Sequence, residues 1–143
     1  WVLKAKAEYG ANQVLFCPNG DVQETGASNF ILIDGDEIIT KPLTDEFLHG
    51  VTRDSVLTVG KDLGYTVTER NFTVDELKAA VENGAEAILT GTAAVISPVT
   101  SFVIDGKEIE VKSQERGYAI RKAITDIQYG LTEDKHGWLV EVC

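Results

Sequence analysis

Three short stretches place small or hydroxyl-bearing residues where a turn exposes backbone N–H groups. They read "QETGASNF" (23–30), "HGVTRDSV" (49–56) and "LTGTAAVISPV" (89–99). In the first, Glu24 stands ahead of a bend and an apolar strand. Such an acid is either a solvated surface group or the partner of a ligand. In the second, Gly50 precedes a predicted helix, with Val51 and Thr52 in its first turn. The unpaired N–H groups and dipole of a helix start suit an anion, and a threonine hydroxyl adds a donor. The simpler alternative is that Thr52 caps the helix. In the third, Gly91 lets the backbone approach a ligand closely, and Thr92 with the N–H groups after it suits phosphate or carboxylate oxygens. A tight turn or bulge at a strand end accounts for the same residues. Convergence of the three on one anion would decide between these readings.

The elements that must position these stretches are legible. Residues 1–9 have helical composition and Gly10 stops them. "QVLFC" (13–17) is a short apolar run closed by the turn signal "PNGD". "NFILID" (29–34) and "EIIT" (37–40) flank a hairpin turn, and "TSFVID" (100–105) and "KEIEV" (107–111) flank an Asp105–Gly106 corner. A helix is predicted from "VTRDSVLTVGKDLG", with Val56, Val59 and Leu63 on its apolar face. A strand follows at 66–72. Thr73 and Glu76 form a capping-box signature before Val74, Leu77 and Val81, and Gly84 closes that helix. The last long helix spans about Gln114 to Tyr129, with Ile120, Ala123, Ile124 and Ile127 as its stripe. "GWLVEVC" reads as a final strand. Hairpins mixed with helices that return to the sheet predict an α+β domain with a mixed or antiparallel sheet.

Composition narrows the classes. The chain has 143 residues, enough for one domain with a core, and a net charge of -10 argues against nucleic acid. No apolar run has the length of a membrane span, so a cytoplasmic protein without membrane partners is expected. Cys17, Cys143, His49 and His136 have no metal-ligand spacing. Cys17 reads as a small buried apolar residue. The chain opens on Trp1, contains no methionine and carries no signal-peptide pattern, so an upstream portion is expected.

"ETGASNF", "HGVTRDSV" and "LTGTAAVISPV", in this order and spacing, resemble the C-terminal large domain of branched-chain amino acid aminotransferases. These are fold-type IV enzymes dependent on pyridoxal 5'-phosphate, and the resemblance implies their α+β large domain, a mixed, barrel-like sheet flanked by helices. The similarity continues through "VIDGKEIEV" and "ITDIQYG" to "GWLVEV", and covers nearly the whole chain as one domain, 1–143. The "ITDIQYG" and "GW" ending favours the branched-chain group over D-amino acid aminotransferases and aminodeoxychorismate lyases. The resemblance implies that Glu24 hydrogen-bonds the cofactor's pyridine nitrogen. It implies that Val51, Thr52, Gly91 and Thr92 bind the phosphate, and that Ala93 and Ala94 present N–H groups to the substrate carboxylate. It further implies a homodimer acting on branched-chain amino acids and 2-oxo acids. Some relatives carry a redox CxxC where this chain has Ala94 and Ser97, so no thiol switch is expected. The family's Schiff-base lysine precedes the helix with which this chain begins. Lys4 and Lys6 do not take its role, so the lysine and the small N-terminal domain are expected upstream, and the chain alone is expected to be inactive. The alternative outside enzymes is a noncatalytic module that binds an anion or a partner protein.

Overall fold

A central strand, β1 (Asn29–Asp34), organises the molecule. The computed structural model describes residues 1–142. β1 pairs antiparallel with β2 (Glu37–Thr40) on one side and with β4 (Glu86–Gly91) on the other. β3 (Thr66–Glu69) lies parallel to β2, and β5 (Val95–Pro98) antiparallel to β4. The order β3-β2-β1-β4-β5 is a mixed sheet, as the sequence predicts. β6 (Ser101–Ile104) and β7 (Lys107–Glu110) form a separate two-stranded ribbon. Asp105 and Gly106 both have positive φ at its corner, the type I′ geometry that matches the twist of a hairpin.

β1 is apolar on both faces because both faces are covered. Phe30 and Leu32 join Ile39, Ala87 and Phe72 in a core closed by α3 (Val74–Glu82) and flanked by Phe102 and Ile109 of the ribbon. Ile31 and Ile33 join Ile38, Ile88 and Ile96 in a second core. That core is closed by Val56 and Val59 of α2 (Val51–Asp62) and by Ile120, Ile124 and Ile127 of α4 (Glu115–Gln128). Both covering helices approach the sheet through a glycine. A methyl on Gly60 would stand 2.4 Å from Ile38 Cδ1, and one on Gly117 would stand 2.8 Å from Ile88 Cγ2. Neither site has room for a side chain.

The helix ends follow the sequence closely. α1 (Val2–Tyr9) stops at Gly10, whose left-handed conformation returns its N–H to Lys6 O. Thr73 Oγ1 accepts the Glu76 N–H and caps α3. The Glu76 side chain departs from the capping box and takes Arg70 instead. That bond holds its carboxyl below the usual range.

Four expectations are corrected. Leu63 is exposed, because α2 ends at Asp62 and the chain turns there. The strand expected at 66–72 stops at Glu69. Residues 137–142 form no strand: the Asp134 carboxylate accepts the N–H groups of His136 and Leu139, which folds the segment locally, and Cys143 lies outside the described residues. The segment is held further by His136, whose Nε2 lies 2.7 Å from Asp62 Oδ2 and whose ring stacks on Trp138. Cys17 is half-buried beside the first core, and burial pushes its thiol pKa up.

Candidate functional site

The bend around "TGAS" is built by its own side chains. An antiparallel bridge joins Leu15 to Thr25, and Phe16 N donates to Glu24 O, fixing the backbone of Glu24. Thr25 N and Thr25 Oγ1 both donate to Ser28 O, and Ala27 N donates to Thr25 Oγ1. The chain then enters β1 at Asn29.

Asn29 is 5% exposed and brings the three stretches together. Its Nδ2 donates to Glu24 Oε2 at 2.9 Å and to Leu48 O at 2.8 Å. Its Oδ1 lies against Gly50, where an added methyl would stand 2.2 Å away. Its register partner across the sheet is Thr90, next to Gly91. The nearest atoms to a methyl placed on Gly91 are Ser28 Oγ at 3.6 Å and Ala27 O at 3.9 Å. The bend therefore touches the start of α2 on one side and the end of β4 on the other.

Two features at this junction lack a hydrogen-bond partner. The cap of α2 is Gly50, which has no side chain, and among the described residues no other side chain accepts from the first turn. The N–H groups there meet the positive end of a 12-residue helix. Thr52 lies inside that turn rather than at the cap, so the capping alternative is corrected. Nearby, Thr90 is 2% exposed and its Oγ1 has no hydrogen-bond partner. A buried hydroxyl left unpaired costs about 1–3 kcal/mol.

The sequence-predicted residues divide by environment. Glu24 is half-buried and held by Asn29, so it is not a freely solvated acid. Val51 is 82% exposed and Thr52 half-buried. Gly91 ends β4, and Thr92, Ala93 and Ala94 form an exposed turn into β5. Val95 closes that turn at φ 58, a left-handed conformation that is strained for a β-branched residue.

Sequence reasoning gave no role to Asn29, Thr90 or Arg53. Arg53, 3% exposed, donates to Lys41 O at 2.8 Å and Glu69 Oε2 at 2.6 Å, tying α2 to the chain on either side of it. Lys41 in turn pairs with Asp21. Glu24, Asn29, Lys41 and Arg53 line a cavity of about 10 Å³, room for a single water at most. The available signal was polarity out of place: Asn29 opens an apolar strand, and Arg53 falls on the buried face of its helix.

The fold recurs in known proteins. The family model Amino-transferase class IV matches residues 1–102. A probable branched-chain-amino-acid aminotransferase of Staphylococcus epidermidis is 38% identical over 141 residues, covering 93% of this chain and 39% of that protein. The branched-chain amino acid aminotransferase of Escherichia coli superposes with a TM-score of 0.81 at 30% identity, over 98% of this chain and 46% of that one. A branched-chain amino acid aminotransferase from T.th., solved with pyridoxamine 5'-phosphate, gives a TM-score of 0.80 at 31% identity, over 97% of this chain and 44% of that one. The chain thus spans about two fifths of the length of the curated relatives it matches. A family match over most of the chain, with the same mixed sheet and the same helices, makes it a member of the class IV aminotransferases and a homologue of the branched-chain enzymes.

Proposed function

We propose that this chain is the cofactor- and substrate-carboxylate-binding part of a branched-chain amino acid aminotransferase. The whole protein moves the amino group of leucine, isoleucine or valine to 2-oxoglutarate. One observation carries this reading. Asn29 links Glu24, the loop before α2 and the end of β4, beside a helix start that no side chain fills.

The residues present fit pyridoxal phosphate by their chemistry. The helix start offers donors to a phosphate, the Thr90 hydroxyl lacks a partner, and the Glu24 carboxylate is held in one orientation. When bound, that cofactor supplies an electron sink for the carbon that loses its proton. In this reading Glu24 keeps a proton on the ring nitrogen. Val51 N–H, the Thr52 hydroxyl, Gly91 and Thr92 hold the phosphate, and the N–H groups of Ala93 and Ala94 orient the substrate carboxylate. The catalytic lysine and the small domain are assigned to residues ahead of Trp1, so the 143-residue chain alone binds cofactor at most noncovalently. The whole protein is proposed to be a cytoplasmic homodimer.

The test uses the full-length protein, with absorption spectra on adding pyridoxal phosphate and turnover of amino donors of both hands. Turnover of L-leucine, L-isoleucine and L-valine with 2-oxoglutarate is expected. Turnover of D-alanine without L-leucine would move the protein to the D-amino acid enzymes. A protein with neither a spectral nor a thermal response to the cofactor is a noncatalytic anion- or partner-binding module. Transamination by the isolated chain at the full-length rate would overturn the placement of the lysine.

A further inference from the structure

We infer that Asn29 is a positioning residue. Its amide sets the direction of the Glu24 carboxylate and ties that carboxylate to the backbone that opens α2. The inference deepens the proposed function and, for its cofactor half, rests on it.

The chemistry of the amide carries the argument. Nδ2 has two protons, and both are used, one on Glu24 Oε2 and one on Leu48 O. Both partners are acceptors, so a flipped amide would set oxygen against oxygen twice. The orientation is fixed. Oδ1 then falls against Gly50, whose missing side chain is what admits it. Gly50 has φ -68, which any residue adopts, so the glycine is required by space and not by backbone conformation. One amide thereby sets the acid proposed for the ring nitrogen and the helix end proposed for the phosphate in one fixed relation. A carboxylate at position 29 could not do this, because it has no donor.

That difference supplies the test. A residue that only fills space tolerates its isostere better than truncation. A residue that donates to a carboxylate does the opposite. Asn29→Asp should therefore be worse than Asn29→Ala, since it sets two carboxylates together. The other charged groups lining the small cavity are Lys41 and Arg53, already engaged with Asp21 and Glu69.

In the cofactor-free full-length protein, Asn29→Asp should unfold at a lower temperature than Asn29→Ala at about pH 8. The gap should close towards about pH 5, where two carboxylates can share a proton. Equal or reversed order at the higher pH overturns the inference. With ring-15N pyridoxal phosphate bound, both variants should move the ring nitrogen resonance towards its unprotonated position. They should also lower kcat about tenfold or more with a smaller change in KM, the loss of roughly one charge-assisted hydrogen bond. Gly50→Ala attacks the same amide from its other side with Asn29 intact, and covers the case in which the Asn29 variants do not fold. It should give the same 15N displacement, and an unmoved resonance in every folded variant overturns the positioning role. If the wild type binds no cofactor while the unfolding order holds, the functional reading fails and the Asn29–Glu24 coupling stands.

Discussion

Two helices pack on the same face of the sheet, and their N-termini are treated in opposite ways. α4 receives a carboxylate from the sheet itself. Glu86 of β4 is 1% exposed and accepts from Arg116 N at 3.2 Å, Gly117 N at 2.9 Å and Ser113 Oγ at 2.8 Å. α2 receives no side chain among the described residues: Gly50 caps it without one, and the buried Thr90 hydroxyl, across β1 from Asn29, is unpaired. The dipole and orphan N–H groups are alike at both ends. An anion belonging to the fold fills one, and the other, left without one, is the end proposed here for the cofactor's phosphate. A helix start is therefore informative only with its accounting of partners, and at α2 that accounting is incomplete.

The contrast breaks most severely at α4. Glu86→Ala should cost about 3 kcal/mol, because it strands buried donors and opens a cavity beneath the helix. Denaturant unfolding measures this, and a loss under about 1 kcal/mol would mean that Glu86 does not anchor α4. Thr73→Ala, at the ordinary capped start of α3, should cost about 1 kcal/mol. Thr52→Ala should change stability by less than about 0.5 kcal/mol, since Thr52 is not a cap. It should still weaken pyridoxal phosphate binding about tenfold in the full-length protein, by titration of absorbance. If Thr52→Ala destabilised as much as Thr73→Ala, the open end of α2 would be a structural cap after all.

The smallest effect concerns the C-terminal segment. The N–H of Leu139, followed by that of His136, holds the Asp134 carboxyl below its usual range. A lowered folded pKa means that this contribution is complete above the unfolded value and is lost as pH falls through the folded one. Trp138 emission, read in a Trp1→Phe background, should hold steady down to about pH 4 and change below it. Emission that stays unchanged well below that pH would mean that the Asp134 bonds do not hold the segment.

How much was legible follows from the range of each interaction. The Thr73 cap, the Gly10 stop and the Asp105–Gly106 corner are local and read correctly from a few residues. The apolar stripe of α4 repeats every turn and also reads directly. Tertiary partnerships did not. Nothing adjacent in sequence says that Glu86 will cap a helix beginning at Glu115, or that Asn29 will meet Leu48. The last segment was misread because the Asp134 carboxylate takes the N–H groups of His136 and Leu139, a local partnership that apolar alternation does not announce. The three site motifs were recognised as a pattern, whereas the amide that joins them is a product of β1–β4 register.

That register has a consequence for how the molecule comes to exist. The β1–β2 hairpin closes through a short turn, but Asn29 meets Thr90 only after two helices and a parallel strand have intervened. Long-range pairings of this kind form later and more slowly than local ones. A chain emerging from a ribosome thus carries Glu24, Val51 and Thr52 of the proposed site before β4 can complete it. Mutations that slow the arrival of β4 will delay the gain of ligand affinity more than the gain of helix. Added ligand will rescue only molecules in which that strand has already joined.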